Sequence, residues 1–209
     1  PDFRWDDAYR PDRGKVLTRE QVEALPKFQR YMDPDGDGIP YRTLPGVSPK
    51  ASYFTRGSGH SKYGGYTEDS AEYQEVLDRL VRKFDTAKKL VPPAVADGRG
   101  SAVAILAIGS SDGPVREALA ALRRSGLAID YLRVRAFPFG AEVEEFLAAH
   151  QTVFVVEQNR DAQLRALLTL ETGVDKQKLR SILHYDGLPM SAACIVEGVN
   201  RALDRGVAA

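Results

Sequence analysis

SAVAILAIGSSDGPVREALAALRRSGLAIDYLRVRAF, residues 101–137, is the stretch that decides the fold. Ala102 to Ile108 is an unbroken apolar run closed by Gly109, which reads as a buried strand. GPVREALAALRRSG then reads as a helix, with Pro114 in its first turn and Gly126 as its stop. IDYLRVRAF is the next strand. The alternation continues to the end of the chain. EVEEFLAAH (142–150), DAQLRALLTLETG (161–173) and SAACIVEGVNRAL (191–203) read as helices; TVFVVEQ (152–158) and LRSILHY (179–185) read as strands. Apolar strands alternating with helices predict an α/β fold with a mainly parallel sheet covered on both faces.

Upstream the character changes. Pro, Gly, Tyr and charge dominate before residue 95, and VPPAVADGRGS (91–101) reads as a linker. Two helices are expected in this first half. Thr18 can cap REQVEALPKFQRYM, with Gln21 in the position of a capping box and Pro26 kinking or ending the helix near Leu25. In the second, Tyr73, Val76, Leu77, Leu80, Val81 and Phe84 recur at helical spacing behind Glu68 and Asp69. Between them, 33–66 reads as an irregular arm. Its aromatics (Tyr41, Tyr53, Phe54, Tyr63, Tyr66) are expected to be buried against another chain or another part of a longer polypeptide.

Composition excludes several classes. Lys+Arg and Asp+Glu both total 29, so the chain lacks the basic surplus of a nucleic-acid binder. No apolar run approaches the ~20 residues of a membrane span. Cys194 is the only cysteine, too few for an internal disulfide or an iron–sulfur cluster, and this fits a reducing, cytoplasmic setting. The opening PDFRWDDAYRPDRGK has no apolar core of a signal peptide and reads as a cut from a longer polypeptide.

Three stretches carry candidate chemistry. DPDGDGIPYRTL (33–44) places Asp33, Asp35, Asp37 and Gly38 as in a calcium loop, but Leu44 stands where the bidentate glutamate belongs, so an Asp/Gly turn is the expected state. GSSDGP (109–114) opens a helix, where Ser110 and Ser111 could meet a phosphate, although Asp112 opposes one and Ser111 or Asp112 could simply cap the helix. Glu157 and Asn159 end the third strand, where ligands of open α/β sheets bind; they could equally anchor the loop that follows or an interface. Of the histidines, His60 sits in a glycine-rich loop, His150 ends a helix, and His184 lies in a strand. Cys194 falls in an apolar helix and is expected to be buried. No nucleophile–base pair and no metal-ligand spacing is present, so no catalytic residue and no metal ligand is assigned.

DGIPYRTLPG (37–46), YFTRGSGH (53–60) followed by YTED (66–69), and FVVEQNRDAQLRALL (154–168) occur here in one order. Together they resemble the C-terminal part of the alpha subunit of 2-oxoacid:ferredoxin oxidoreductases, especially the 2-oxoglutarate type. The part from about Ser101 also resembles the three-layer C-terminal domain of transketolases. The resemblance implies 1–17 as the tail of a preceding domain, 18–95 as a connecting arm and 96–209 as the transketolase-like domain.

The family converts a 2-oxoacid, coenzyme A and oxidised ferredoxin to acyl-CoA, carbon dioxide and reduced ferredoxin. The resemblance therefore implies thiamine diphosphate, magnesium (Mg2+), an iron–sulfur cluster and coenzyme A for the complex, and none held by this chain alone. It also implies a beta subunit and the remainder of the alpha subunit as partners, with ferredoxin reached through the complex and neither nucleic acid nor membrane. This chain would serve assembly and be inactive by itself. A pyruvate or branched-chain enzyme, and a free-standing phosphate-binding α/β module, are the alternatives. Within the arm, Arg42, Arg56, His60 and Lys62 either line the channel of an anionic substrate or pair with acids on a partner chain. His60 is followed by Ser61 and Lys62 where many relatives carry acids.

Overall fold

The computed structural model describes residues 4–55, 57 and 59–203 and divides the chain at Ala87/Lys88 into two units. In the first unit, helix α1 spans Arg19–Ala24. The Thr18 hydroxyl accepts from the Gln21 amide (3.3 Å), and the Gln21 side chain accepts from the Thr18 amide (2.8 Å), which is the expected capping box. The helix stops ahead of Leu25 and Pro26 because proline offers no amide for the next turn. Val22 of α1 packs with Phe28 and Ala51 in a small core.

Helix α2 spans Ser70–Ala87, and the Asp69 carboxylate caps it by accepting from the Ala71 and Glu72 amides, each at 2.9 Å. One side of α2 holds the Asp/Gly turn. Arg79 Nη1 donates to the Gly38 carbonyl (2.8 Å) and Thr86 Oγ1 to the Asp37 carbonyl (2.6 Å). Gly38 has φ +81°, and a Cβ there would stand 2.2 Å from the Lys83 backbone nitrogen, so only glycine allows the approach.

The second unit is the predicted α/β fold. Strands β1 (Val95–Asp97), β2 (Val103–Ile108), β3 (Asp130–Val134), β4 (Thr152–Glu157) and β5 (Leu179–Leu183) lie in the order β1-β3-β2-β4-β5. All neighbours are parallel except the edge pair β1/β3. Helices α3 (Asp112–Arg124) and α6 (Ala192–Ala202) cover one face, packing Leu119, Leu122 and Ile195 on Ile105 and Phe154. Helices α4 (Ala141–Ala149) and α5 (Gln163–Thr172) cover the other, packing Val143, Leu147 and Leu168 on Leu106 and Val155. Three layers result. The chain moves one way from β2 to β3 and back over β2 to β4, so right-handed crossovers must put α3 and α4 on opposite faces.

The stretch read as a linker is partly structured. Val95–Asp97 forms the antiparallel edge strand, and Gly98 to Ser101 wrap the carboxylate of Asp130. Cys194 is partly exposed rather than buried, because it lies beside the inward stripe of Ile195 and Val199 on α6.

Candidate functional site

Reversal of direction between β2 and β4 opens a crevice at their carboxyl ends, the usual ligand position of open α/β sheets. It is a cleft of about 380 Å³ lined by Ser110, Ser111, Glu157, Gln158, Asn159 and residues of α5. The fold thus brings together the four residues expected there from separate stretches. Gln158, which sequence reading passed over, joins them: its Nε2 donates to Ser110 Oγ (3.1 Å) and lies 3.3 Å from Ser111 Oγ. A lone glutamine after a strand carries no signal that would single it out.

Each acid of the crevice is already engaged. Glu157 is buried and accepts from the Leu164 (2.6 Å) and Arg165 (3.1 Å) amides at the start of α5, and from Asn159 Nδ2 (2.9 Å). Asn159 Oδ1 accepts from the Asp161 and Gln163 amides. The residue that precedes α5, Ala162, therefore supplies no cap and sits at φ +52°. Glu157 and Asn159 anchor the loop that follows, one of the two roles open to them.

At the other wall, neither Ser111 nor Asp112 caps α3 as expected. A 3₁₀ turn, Gly109–Ser111, runs straight into the helix, and the Asp112 carboxylate turns aside to Arg116 (3.1 Å), Tyr131 (2.9 Å) and Arg133 (3.4 Å). Burial raises the Asp112 carboxyl's affinity for a proton, but the bonds from Arg116 and Tyr131 outweigh it and hold the group below the usual carboxylate range. Burial, then the hydrogen bond to Asp112 and its charge, pushes the Tyr131 phenol up.

Glu157 is the carboxylate that lines the crevice, while Asp112 is paired with Arg116 and Arg133; among the described residues no group of three or more His, Cys, Asp and Glu is arranged to hold a metal ion.

The arm candidates are dispersed. Arg42 pairs its backbone with Lys15 and Leu17 and donates from Nη2 to the Arg13 carbonyl (2.8 Å). His60 stacks on Tyr31 at 4.4 Å between ring centroids. Lys62 pairs with Glu75 of α2 at 3.4 Å. Arg56 lies outside the described residues.

The calcium-like loop is filled from within. Lys15 Nζ sits 2.6 Å from Asp35, 2.7 Å from Asp37 and 3.1 Å from the Ile39 carbonyl, so an ammonium occupies the place of a cation. Of the arm's aromatics, Tyr53, Phe54, Tyr63 and Tyr66 are exposed in this chain, and Tyr41 is partly buried.

A second polar centre, with no counterpart among the sequence candidates, lies at the start of β3. Asp130, at the start of β3, accepts from the Arg99, Gly100 and Ser101 amides and from Ser101 Oγ, at 2.7–3.0 Å. Its burial favours the protonated form, but these bonds and His150 outweigh it and hold the carboxyl far below its usual range. An acid opening an apolar strand, with Gly-Arg-Gly-Ser upstream, is the signal that could have found it.

No family model matches the chain. Over 93% of its length it is 32% identical to the alpha subunit of 2-oxoacid:ferredoxin oxidoreductase 2 of Aeropyrum pernix, covering 30% of that subunit. The alpha subunit of 2-oxoacid:ferredoxin oxidoreductase from Saccharolobus solfataricus is 26% identical over 94% of the chain, which spans 31% of it. Among solved structures, 2-oxoglutarate:ferredoxin oxidoreductase from Magnetococcus marinus, with 2-oxoglutarate, coenzyme A and succinyl-CoA bound, superposes with a TM-score of 0.74. Identity there is 26%, over 86% of this chain and 31% of that one. The chain spans about a third of the length of these relatives. Across nearly its whole length, it is a relative of the C-terminal part of 2-oxoacid:ferredoxin oxidoreductase alpha subunits.

Proposed function

We propose that the chain is the C-terminal portion of the alpha subunit of a 2-oxoglutarate:ferredoxin oxidoreductase and serves assembly and support of an active site completed elsewhere. The observation that carries the reading is its superposition on the Magnetococcus marinus enzyme, whose structure contains 2-oxoglutarate and coenzyme A. The polar residues of the crevice add support. Glu157 and Asn159 are consumed in holding the start of the helix that follows, which suits a scaffold.

In this reading the partners are a beta subunit, the remainder of the alpha subunit and, through the complex, ferredoxin, in a cytoplasmic assembly. Among the described residues no helix is long and apolar enough to cross a membrane. Thiamine diphosphate with Mg2+, the iron–sulfur cluster and coenzyme A would be held by those partners. One cysteine cannot ligate a cluster. Exposed Tyr53 and Phe54 would meet a partner surface, while Arg42, His60 and Lys62 would hold the arm in shape.

The test is capture of the native assembly with an antibody against this chain, followed by assay of coenzyme-A-dependent reduction of a low-potential acceptor. Activity with 2-oxoglutarate and not pyruvate is expected. Activity with pyruvate alone would overturn the substrate, and a captured assembly inactive with both would overturn the reading.

A further inference from the structure

DPDGDGI (33–39) carries the first seven positions of a calcium loop, and Leu44 stands where the closing glutamate belongs. In such a loop the cation meets side chains at the first, third and fifth positions and the backbone carbonyl of the seventh. Lys15, from a separate stretch of chain, reaches three of these four. Its Nζ lies 2.6 Å from Asp35 at the third position, 2.7 Å from Asp37 at the fifth and 3.1 Å from the Ile39 carbonyl at the seventh.

The remaining position is Asp33, whose side chain is 6% exposed. Its Oδ2 accepts from the Gly38 amide at 2.8 Å, and its carboxyl lies within hydrogen-bonding reach of that of Asp37. Asp33 Oδ1 is buried without a hydrogen-bond partner among the described residues. A positive group brought from elsewhere therefore converges on one side of the loop, and a buried carboxylate oxygen on the other side is unmet.

An ammonium fills such a loop incompletely. It brings one charge to three carboxylates, and Arg82 adds only a 3.5 Å contact to Asp33. It donates three hydrogen bonds, whereas a calcium ion gathers about six to eight oxygens. Where a calcium loop supplies a glutamate to complete the shell, this chain supplies the cation itself. The place is open to ions from solvent, since Asp35 and Asp37 are partly exposed.

We propose that the loop is a calcium-type site whose resident cation is the Lys15 ammonium, and that Ca2+ takes the same place when that ammonium is removed. With Lys15 seated, the site is shut to metal. Without it, Asp33, Asp35, Asp37 and the Ile39 carbonyl hold the ion, and water completes the shell. This goes beyond the assembly role proposed above and does not rest on it.

Terbium luminescence of the full chain tests it, because the Tyr41 ring lies 5.2 Å from Lys15 Nζ and can pass excitation to Tb3+, a calcium mimic, in its place. The natural chain is expected to give little tyrosine-excited emission, and Lys15→Ala about tenfold more or better. Lys15→Glu supplies the missing carboxylate and should bind Ca2+ with a Kd on the order of 10⁻⁴–10⁻³ M. Ca2+, and not Mg2+, should displace the Tb3+ and restore the Tm that charge reversal lowers. Adding Asp37→Asn should abolish the gain in either variant.

Lys15→Ala with unchanged circular dichroism and no gain in emission overturns the proposal. A natural chain that binds Ca2+ as tightly as the variants overturns the role of Lys15. A gain that survives Asp37→Asn places the ion elsewhere and overturns the site.

Discussion

Nε2 of His150 lies 3.3 Å from Oδ2 of Asp130, with both side chains shut off from solvent at the amino end of the sheet. The other ring nitrogen of His150 meets the Phe146 carbonyl at 2.7 Å, so one side chain ties the end of α4 to the start of β3. Asp130 in turn gathers the turn that joins β1 to β2. Three elements therefore depend on one carboxylate.

Replacing Asp130 by Asn leaves several buried donors without a charged acceptor and is expected to destabilise the second unit by about 3 kcal/mol at neutral pH. The pH dependence has a definite sign. The folded carboxyl titrates below its unfolded value near 4, so its contribution is present above about pH 4 and is lost as pH falls below it. Denaturant midpoints of the natural chain and Asp130→Asn should differ at pH 7 and converge in acid. An equal difference at both pH values would contradict this.

Gly98 lies where a Cβ would meet Asp130 Cγ at 2.2 Å. Gly98→Ala is expected to push the turn off the carboxylate and destabilise by about 1–3 kcal/mol, the range for overpacking. Gly113→Ala, whose Cβ meets nothing within 4 Å, serves as the comparison in the same unfolding experiment.

The loop before α5 makes paired predictions of opposite sign. Glu157→Gln removes the charge that accepts two helix-start amides and should destabilise by about 1–2 kcal/mol. Ala162→Gly should stabilise by up to about 1 kcal/mol, because glycine adopts φ +52° without strain. Thermal melts of the two variants should move apart from the parent in opposite directions.

In the first unit, Lys15→Met removes the ammonium shared by Asp35 and Asp37 and is expected to destabilise by about 1 kcal/mol, less in high salt. Two groups set the pH window. Burial lowers the Lys15 pKa, but the bonds to Asp35 and Asp37 outweigh it and raise it, so its stabilisation is complete below the ordinary lysine value and lost as pH rises past it. The Asp37 carboxyl, lowered chiefly by its bond from Lys15, contributes above its ordinary value and loses that as pH falls. The effect of Lys15→Met should be flat between these limits and shrink outside both.

Local physics made most of the second unit readable from sequence. A strand buried on both faces must be apolar throughout, and a covering helix must carry a stripe, so Ala102 to Ile108 and the stretch to Arg124 declare themselves by composition and period. Caps within four residues, such as Thr18 with Gln21, are equally legible. β1 is not, because three exposed residues that pair only along one edge carry no pattern.

The sites were decided by tertiary structure. Ser110 and Gln158 meet because β2 and β4 are neighbours. Lys15 neutralises the Asp/Gly turn because the chain folds back over it. Arg99 to Ser101 meet Asp130 because β3 begins beside the turn that leads into β2. Which charge finds which partner depends on strand order and on the path of the arm, and the bonds in those pairings outweigh a desolvation cost that no stretch of sequence experiences alone. Residue periodicity set the elements of this protein; folding turned acids such as Glu157, read as a possible ligand or anchor, and Asp130 into the ties that hold those elements in place.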